Sequence, residues 1–216
     1  MTIGIVAEGI TECNFVKKLL CPYFIGKDKY LFPITIVTSR DKRNGKVYKG
    51  GGLNFDRVKV HIGNNLKNCD VVSTMFDFYG LPPDFPGVAK INKNTNAYDQ
   101  VTLIEDELTG KICTEKFIPY IQLHEFEALV FSDLDILQKQ YFENKIEPLR
   151  KCLAEIKNPE LINTDPNKSL SKRIINYIKE YDKATIGVRV LEEIGLNKIR
   201  SECKHFDEWI CKLEEL

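Results

Sequence analysis

The sequence predicts an α/β fold, a mainly parallel sheet flanked by helices, with a helical region filling the C-terminal third. Three observations carry this. Strand-like and helix-like segments alternate from Thr2 to Leu123, apolar runs end repeatedly on carboxylates, and from Asp133 onward only helical periodicity remains. Thr2 to Ala7 alternates and is rich in Ile and Val, so it reads as the first strand. Thr11 to Leu20 reads as a helix with Phe15, Val16, Leu19 and Leu20 on one face. Pro33 to Thr38 reads as a second strand, and Ser39 to Gly52 as a polar loop closing in Gly50-Gly51-Gly52. No Lys-Ser/Thr follows those glycines, so they do not form a P-loop. Leu53 to Leu66 has helical spacing at Val58, Ile62 and Leu66. Asp70 to Asp77 is the clearest strand in the chain.

The stretch from Gly80 to Gly87, with Pro82, Pro83 and Pro86, is too rich in proline for a helix or a central strand. Asn96 to Leu108 reads as a helix and Phe117 to Leu123 as another strand. The helices beyond Asp133 are punctuated by Pro148, Pro159 and Pro166. The chain closes on an apolar stripe of Ile199, Cys203, Phe206, Trp209, Ile210 and Leu213, which reads as core. The expected division is an α/β core over residues 1–135 and a helical region over 136–216 packed on it, or one continuous domain. No long linker separates the two.

At 216 residues with 43% apolar side chains, the chain is long enough to bury a sizeable core. Thirty-one basic residues balance 31 acidic ones. That excludes a broadly basic nucleic-acid coat and a polybasic membrane binder, and leaves a local basic patch open. No apolar run approaches the ~20 residues of a membrane span, and no signal segment opens the chain, so a cytoplasmic protein without a membrane partner is expected. The seven cysteines are scattered and none forms a CxxC pair. They read as reduced, mostly buried thiols. Oligomeric state is left open, a homo-oligomer included.

The chemistry suggested by the sequence lies at strand ends. Glu8 follows the first strand, and Glu12 falls in the first turn of the next helix. Asp77 ends the third strand. Glu125 and Glu127 follow the strand that closes near Leu123. In a parallel sheet the carboxyl ends share one edge, where ligands bind. Acids grouped there would raise one another's pKa unless a cation offsets their charge. Hard carboxylate oxygens suit Mg²⁺ or Mn²⁺ and the hydrolysis of phosphate esters. Alternative readings stand beside each of these. Glu8 and Glu12 also suit a helix N-terminus through the macrodipole, and Asp77 also suits a turn cap into Gly80. Glu125 and Glu127 would diverge in a helix and share a face in an extended segment, so either is a candidate ligand. His124 reads equally as an acid/base group and as a structural histidine. The basic loop of Arg40, Lys42, Arg43, Lys46 and Lys49, with Arg57 and Lys59 on the next helix, reads equally as a phosphate track and as a solvated face. Tyr79, Phe85 and Tyr98 are candidates for stacking on unpaired bases, though local packing is the commoner role of such residues.

Val6-Ala7-Glu8-Gly9-Ile10-Thr11-Glu12 resembles the opening glutamate motif of Toprim domains, in the version found in the overcoming-lysogenization-defect nucleases. Met75 to Pro82, Tyr120 to Leu129, and the ending from Ile194-Gly195-Leu196 through Ile199-Arg200, Cys203, His205-Phe206 and Trp209 resemble a Toprim-like family catalogued as domain of unknown function 4276. The resemblance implies a Toprim-like sheet with a divalent-metal site. Glu8 is then general base or metal ligand, Glu12 the second acid, and Asp77 the first residue of the Toprim Asp-x-Asp pair. Tyr79 stands where the second aspartate is expected, and Glu125 or Glu127 would have to supply that charge. Lys183, ahead of Thr185-Ile186-Gly187, takes the place of a late lysine that stabilises the transition state. The expected function is a Mg²⁺- or Mn²⁺-dependent nuclease acting on nucleic acid, DNA in preference to RNA. By the same resemblance it works with a separate ABC-type ATPase subunit in defence against phage or foreign DNA. The alternative is a catalytically degenerate, Toprim-like interaction or regulatory subunit.

Overall fold

The computed structural model describes residues 1–40, 47–49, 53–92, 94–162 and 170–216. They divide into two compact units, Met1–Ile121 and Gln122–Leu216.

The first unit is an α/β sheet. Strand β1 (Thr2–Ala7) is followed by helix α1 (Ile10–Phe15), a π-helical turn (Val16–Leu20) and helix α2 (Cys21–Ile25). The expected single helix is thus broken in its hydrogen bonding while Phe15, Val16 and Leu20 stay buried. Pro22 explains the break. It has no N–H to give to the Lys18 carbonyl, and its ring crowds that carbonyl. The turn before it widens, so that the Cys21 N–H donates to the Val16 carbonyl, five residues back.

Strand β2 (Tyr30–Thr35) pairs parallel with β1, and β1 pairs parallel with β5 (Val71–Asp77). Strand β6 (Phe117–Ile118) adds parallel to the other side of β5, giving the order β2-β1-β5-β6, and β7 (Ile121–Gln122) completes a five-stranded sheet beside β5. Ile3 to Ala7 and Val71 to Phe76 are buried continuously, because helices cover both faces of central parallel strands. Helix α3 (Phe55–Asn65) packs on β1 and β5, and α4 (Ala97–Ile112) packs on β6. Asn54 and Asn96 start these helices by accepting from the N–H groups of Arg57 and Asp99.

Two strand expectations are corrected. The second strand begins at Tyr30 and not at Pro33. Even-numbered residues of β2 face β1, since Tyr30 donates to the Met1 carbonyl and Ile36 to that of Ala7. Pro33 therefore turns its missing donor to the open edge, where a proline costs no ladder bond and blunts strand addition. The expected strand from Phe117 to Leu123 is interrupted at Pro119-Tyr120. There the Thr74 hydroxyl accepts from the Tyr120 N–H (2.9 Å) and donates to the Tyr120 carbonyl (3.1 Å), standing in for ladder bonds. The buried Glu105 carboxylate likewise accepts from the Ile121 N–H at 2.8 Å. Part of the expected loop after Ser39 is an antiparallel pair, β3 (Val37–Arg40) with β4 (Val47–Lys49).

The second unit is helical. At its centre a 3₁₀ segment, Phe126–Ser132, is buried along its whole length. Around it lie α5 (Leu134–Gln138), α6 (Glu143–Ile156), α7 (Leu170–Tyr177), α8 (Val188–Ile194), α9 (Leu196–Glu202) and α10 (Lys204–Glu214). Pro148 does not end a helix as expected. It lies inside α6, where the donor it lacks would have reached Asn144 in the first turn. Pro166 lies outside the described residues. The closing stripe from Ile199 to Leu213 is core, as its spacing predicts.

Candidate active site: an acidic edge on the parallel sheet

Ala7 pairs with Met75 across β1 and β5, so Glu8 and Asp77 stand at the carboxyl ends of two hydrogen-bonded parallel strands. Both are half-buried. The chain turns at Gly9 into α1, and Glu12 folds back so that its Oε2 accepts from the Gly9 N–H at 3.0 Å. This one-sided cap, in which only the Glu12 side chain takes part, holds Glu12 at 4% exposure and fixes the turn that carries Glu8. Beyond Asp77 a short 3₁₀ turn, Phe78–Gly80, bends the chain back. A Cβ placed on Gly80 would lie 2.8 Å from Glu8 Oε2. The Glu8 carboxylate thus rests against the bare backbone of Gly80, and the two strand ends meet through that contact.

Sequence reasoning named Glu8, Glu12 and Asp77 and missed Gly80. The available signal was a glycine three residues past an acid-ended strand. Tyr79, at the expected second-aspartate position, stacks on Phe78 with ring centroids 5.7 Å apart. Phe85 is not a base-stacking platform. It is buried in an edge-to-face cluster with Phe55 and Phe76, at 5.8 and 6.3 Å. Of the basic loop, Arg40 ends β3 and Lys49 ends β4, whereas Lys42, Arg43 and Lys46 lie outside the described residues. Arg57 and Lys59 are on α3.

Glu125, Glu127 and Lys183 belong to the second unit. Glu125 precedes the 3₁₀ segment and accepts from the Ser171 N–H (3.0 Å) and hydroxyl (3.3 Å) at the start of α7. Glu127 is 1% exposed. Glu125 sits on extended backbone (φ −140°, ψ 155°) and Glu127 in the first turn of the 3₁₀ segment. His124 has a left-handed backbone (φ 59°), and burial pulls its pKa down to about 4, so it is neutral at pH 7. Lys183 opens a π-helical turn, Lys183–Gly187, with its Nζ 5.9 Å from the centre of the Phe126 ring.

Among the described residues, no three or more His, Cys, Asp or Glu side chains are gathered so as to hold a metal ion. Mg²⁺ ordinarily binds through one or two carboxylates and keeps water or substrate oxygens for its remaining positions, and the sheet edge carries two carboxylates at neighbouring strand ends, Glu8 and Asp77. No helix among the described residues is long and apolar enough to cross a membrane.

The sheet and its edge define an α/β protein with paired acids at the ends of adjacent parallel strands. More specifically, the chain belongs to the family described as domain of unknown function DUF4276, whose profile matches residues 7–214. No curated protein and no solved structure matches it.

Proposed function

We propose that this chain is a Toprim-like hydrolase that uses Mg²⁺ or Mn²⁺ to cleave phosphodiester bonds in nucleic acid, DNA in preference to RNA. The observation that carries this reading is the placement of Glu8 and Asp77 on adjacent parallel strand ends, with Gly80 bare beneath the Glu8 carboxylate. Glu8 and Asp77 hold the cation, and Glu12 fixes the turn that presents Glu8. When bound, the cation polarises the phosphate and lowers the pKa of an attacking water. Glu8 would serve there as metal ligand or as general base toward the water, and the cation would offset the charge that develops on the leaving oxygen. The Toprim resemblance extends the proposal to a separate ABC-type ATPase and to defence against phage or foreign DNA. It is consistent with a sequence that carries no P-loop.

A second reading, a catalytically degenerate interaction subunit, is favoured by Tyr79 in place of the second aspartate and by the Glu12 carboxylate being engaged with the Gly9 N–H. Calorimetric titration with Mn²⁺ separates the two. The hydrolase reading expects micromolar-range binding, lost in both Glu8→Ala and Asp77→Ala while their circular dichroism is unchanged. A folded wild-type protein that takes up no Mn²⁺ would overturn it in favour of the interaction subunit.

A further inference from the structure

Away from the acidic edge, the second unit has a cavity of about 210 Å³ between α6 and α7. Each helix lines it with residues at i, i+1 and i+4. Helix α6 provides Pro148, Leu149 and Cys152, and α7 provides Lys172, Arg173 and Asn176, with Tyr177 beside them. Such spacing places the three side chains of each helix on one face. The lining is divided in its chemistry. Leu149, which is buried, and Pro148 make an apolar wall, and the Tyr177 ring is exposed. Lys172, Arg173 and the Asn176 amide bring N–H donors, two of them cationic. Among the described residues, no carboxylate lines it. Burial raises the pKa of the Cys152 thiol, the Arg173 charge opposes that rise and the Glu155 charge adds to it.

We propose that this cavity binds the phosphate group of a nucleotide, held by Lys172 and Arg173, with the attached sugar or base against Tyr177 and Pro148. A guanidinium presents a planar fork of donors that matches phosphate oxygens, and an ammonium beside it adds a point charge. An aromatic ring beside a phosphate seat offers the flat surface on which bases stack. The volume is below the ~300 Å³ at which drug-sized pockets begin, so it seats the phosphate and leaves the rest of the nucleotide against the exposed Tyr177 ring. The same chemistry is presented by a free mononucleotide and by the 5′-phosphorylated end of a nucleic-acid strand. The assignment does not depend on the metal reading, because every group in it lies in the second unit and none is acidic.

The test is a binding titration of the whole protein in EDTA, so that neither cation nor turnover contributes. The probes are AMP, adenosine, inorganic phosphate, and a short oligonucleotide with and without a 5′-phosphate. Cysteine alkylation mapped by mass spectrometry gives a second readout. AMP should bind at least tenfold more tightly than adenosine or inorganic phosphate. Its affinity should fall at least tenfold in the Lys172→Met, Arg173→Met double variant, whose melting temperature serves as the folding control. Bound AMP should slow alkylation of Cys152 and leave exposed Cys113 unaffected. A 5′-phosphorylated oligonucleotide that binds tenfold better than AMP identifies a strand end as the natural source, and equal affinities identify a free nucleotide. The proposal is overturned if AMP binds no better than adenosine, or if the double variant binds AMP as the wild type does. Failure to protect Cys152 would also sink it, because the ligand would then lie elsewhere.

Discussion

Gly80 illustrates how one missing side chain can position a functional one. The Glu8 carboxylate occupies the space a Cβ would take, and it is the tip of a flexible side chain, so it yields before the backbone does. Gly80→Ala should therefore lower the melting temperature by only a degree or two, since a few tenths of a kcal/mol suffice to re-seat the tip of a half-buried side chain. Mn²⁺ affinity should nevertheless drop by at least tenfold, read in the same calorimetric titration. An unchanged affinity would separate the Gly80 contact from the site. His124 makes a residue-scale prediction with a defined sign. Its pKa falls from 6.5 to about 4 on folding, so the unfolded chain holds the extra proton between those values. Stability is complete above about pH 6.5 and is lost as pH drops toward 4, to the extent of roughly 3 kcal/mol by linkage. Asparagine tolerates the left-handed backbone at this position. His124→Asn should flatten the dependence of melting temperature on pH across this window, and a slope unchanged from wild type would assign it to other groups.

At the scale of elements, the last helix depends on a carboxylate distant in sequence. Cys203, which precedes α10, offers no capping side chain, and the fully buried Glu160 takes that role. Its Oε2 accepts from the His205 N–H at 2.9 Å and its Oε1 from the Phe206 N–H at 3.0 Å. A negative charge here also complements the positive end of the helix dipole. Glu160→Ala strands two buried donors and should cost about 3 kcal/mol in urea unfolding. Glu160→Gln retains one acceptor but turns an NH₂ toward a donor, and should cost less. If both variants cost under 0.5 kcal/mol, the cap is not structural. The same contrast explains what the sequence discloses. β1 and β5 are legible because strands buried on both faces are continuous apolar runs, and the stripe on α9 and α10 is legible because helical spacing repeats. The acids at the two strand ends follow from those strands. The 3₁₀ segment Phe126–Ser132 has no legible period, since every residue in it is buried. The π-turn at Val16–Leu20 and the break at Pro119 are local effects of proline that hydrophobic patterning does not register. Glu160 and Gly80 are invisible for another reason: each acts through a partner far away in the chain, and a single sequence does not report such pairs.

For the molecule as a whole, charge decides how nucleic acid can be held. With 31 basic and 31 acidic residues there is no long-range field to draw in a polyanion, so attraction must come from small clusters. The described residues offer one such cluster on the second unit, Lys172 and Arg173. Contact with B-DNA through about two to four phosphates predicts that log K falls against log salt with a slope of roughly −2 to −4, far shallower than for a basic coat. The measurement is fluorescence anisotropy of labelled duplex across 25 to 200 mM salt at constant pH, in EDTA to suppress cleavage. Lys172→Met with Arg173→Met should reduce the slope by up to about 2 if both residues touch phosphates. A separate ATPase that supplied further contacts would steepen the slope of the mixture over that of this chain alone, which places the missing affinity on the partner. A slope near zero for the chain alone and for any candidate mixture would mean that no phosphate is neutralised. Nucleic acid would then be the wrong substrate, and the acidic edge would have to serve a smaller phosphate ester or a protein partner.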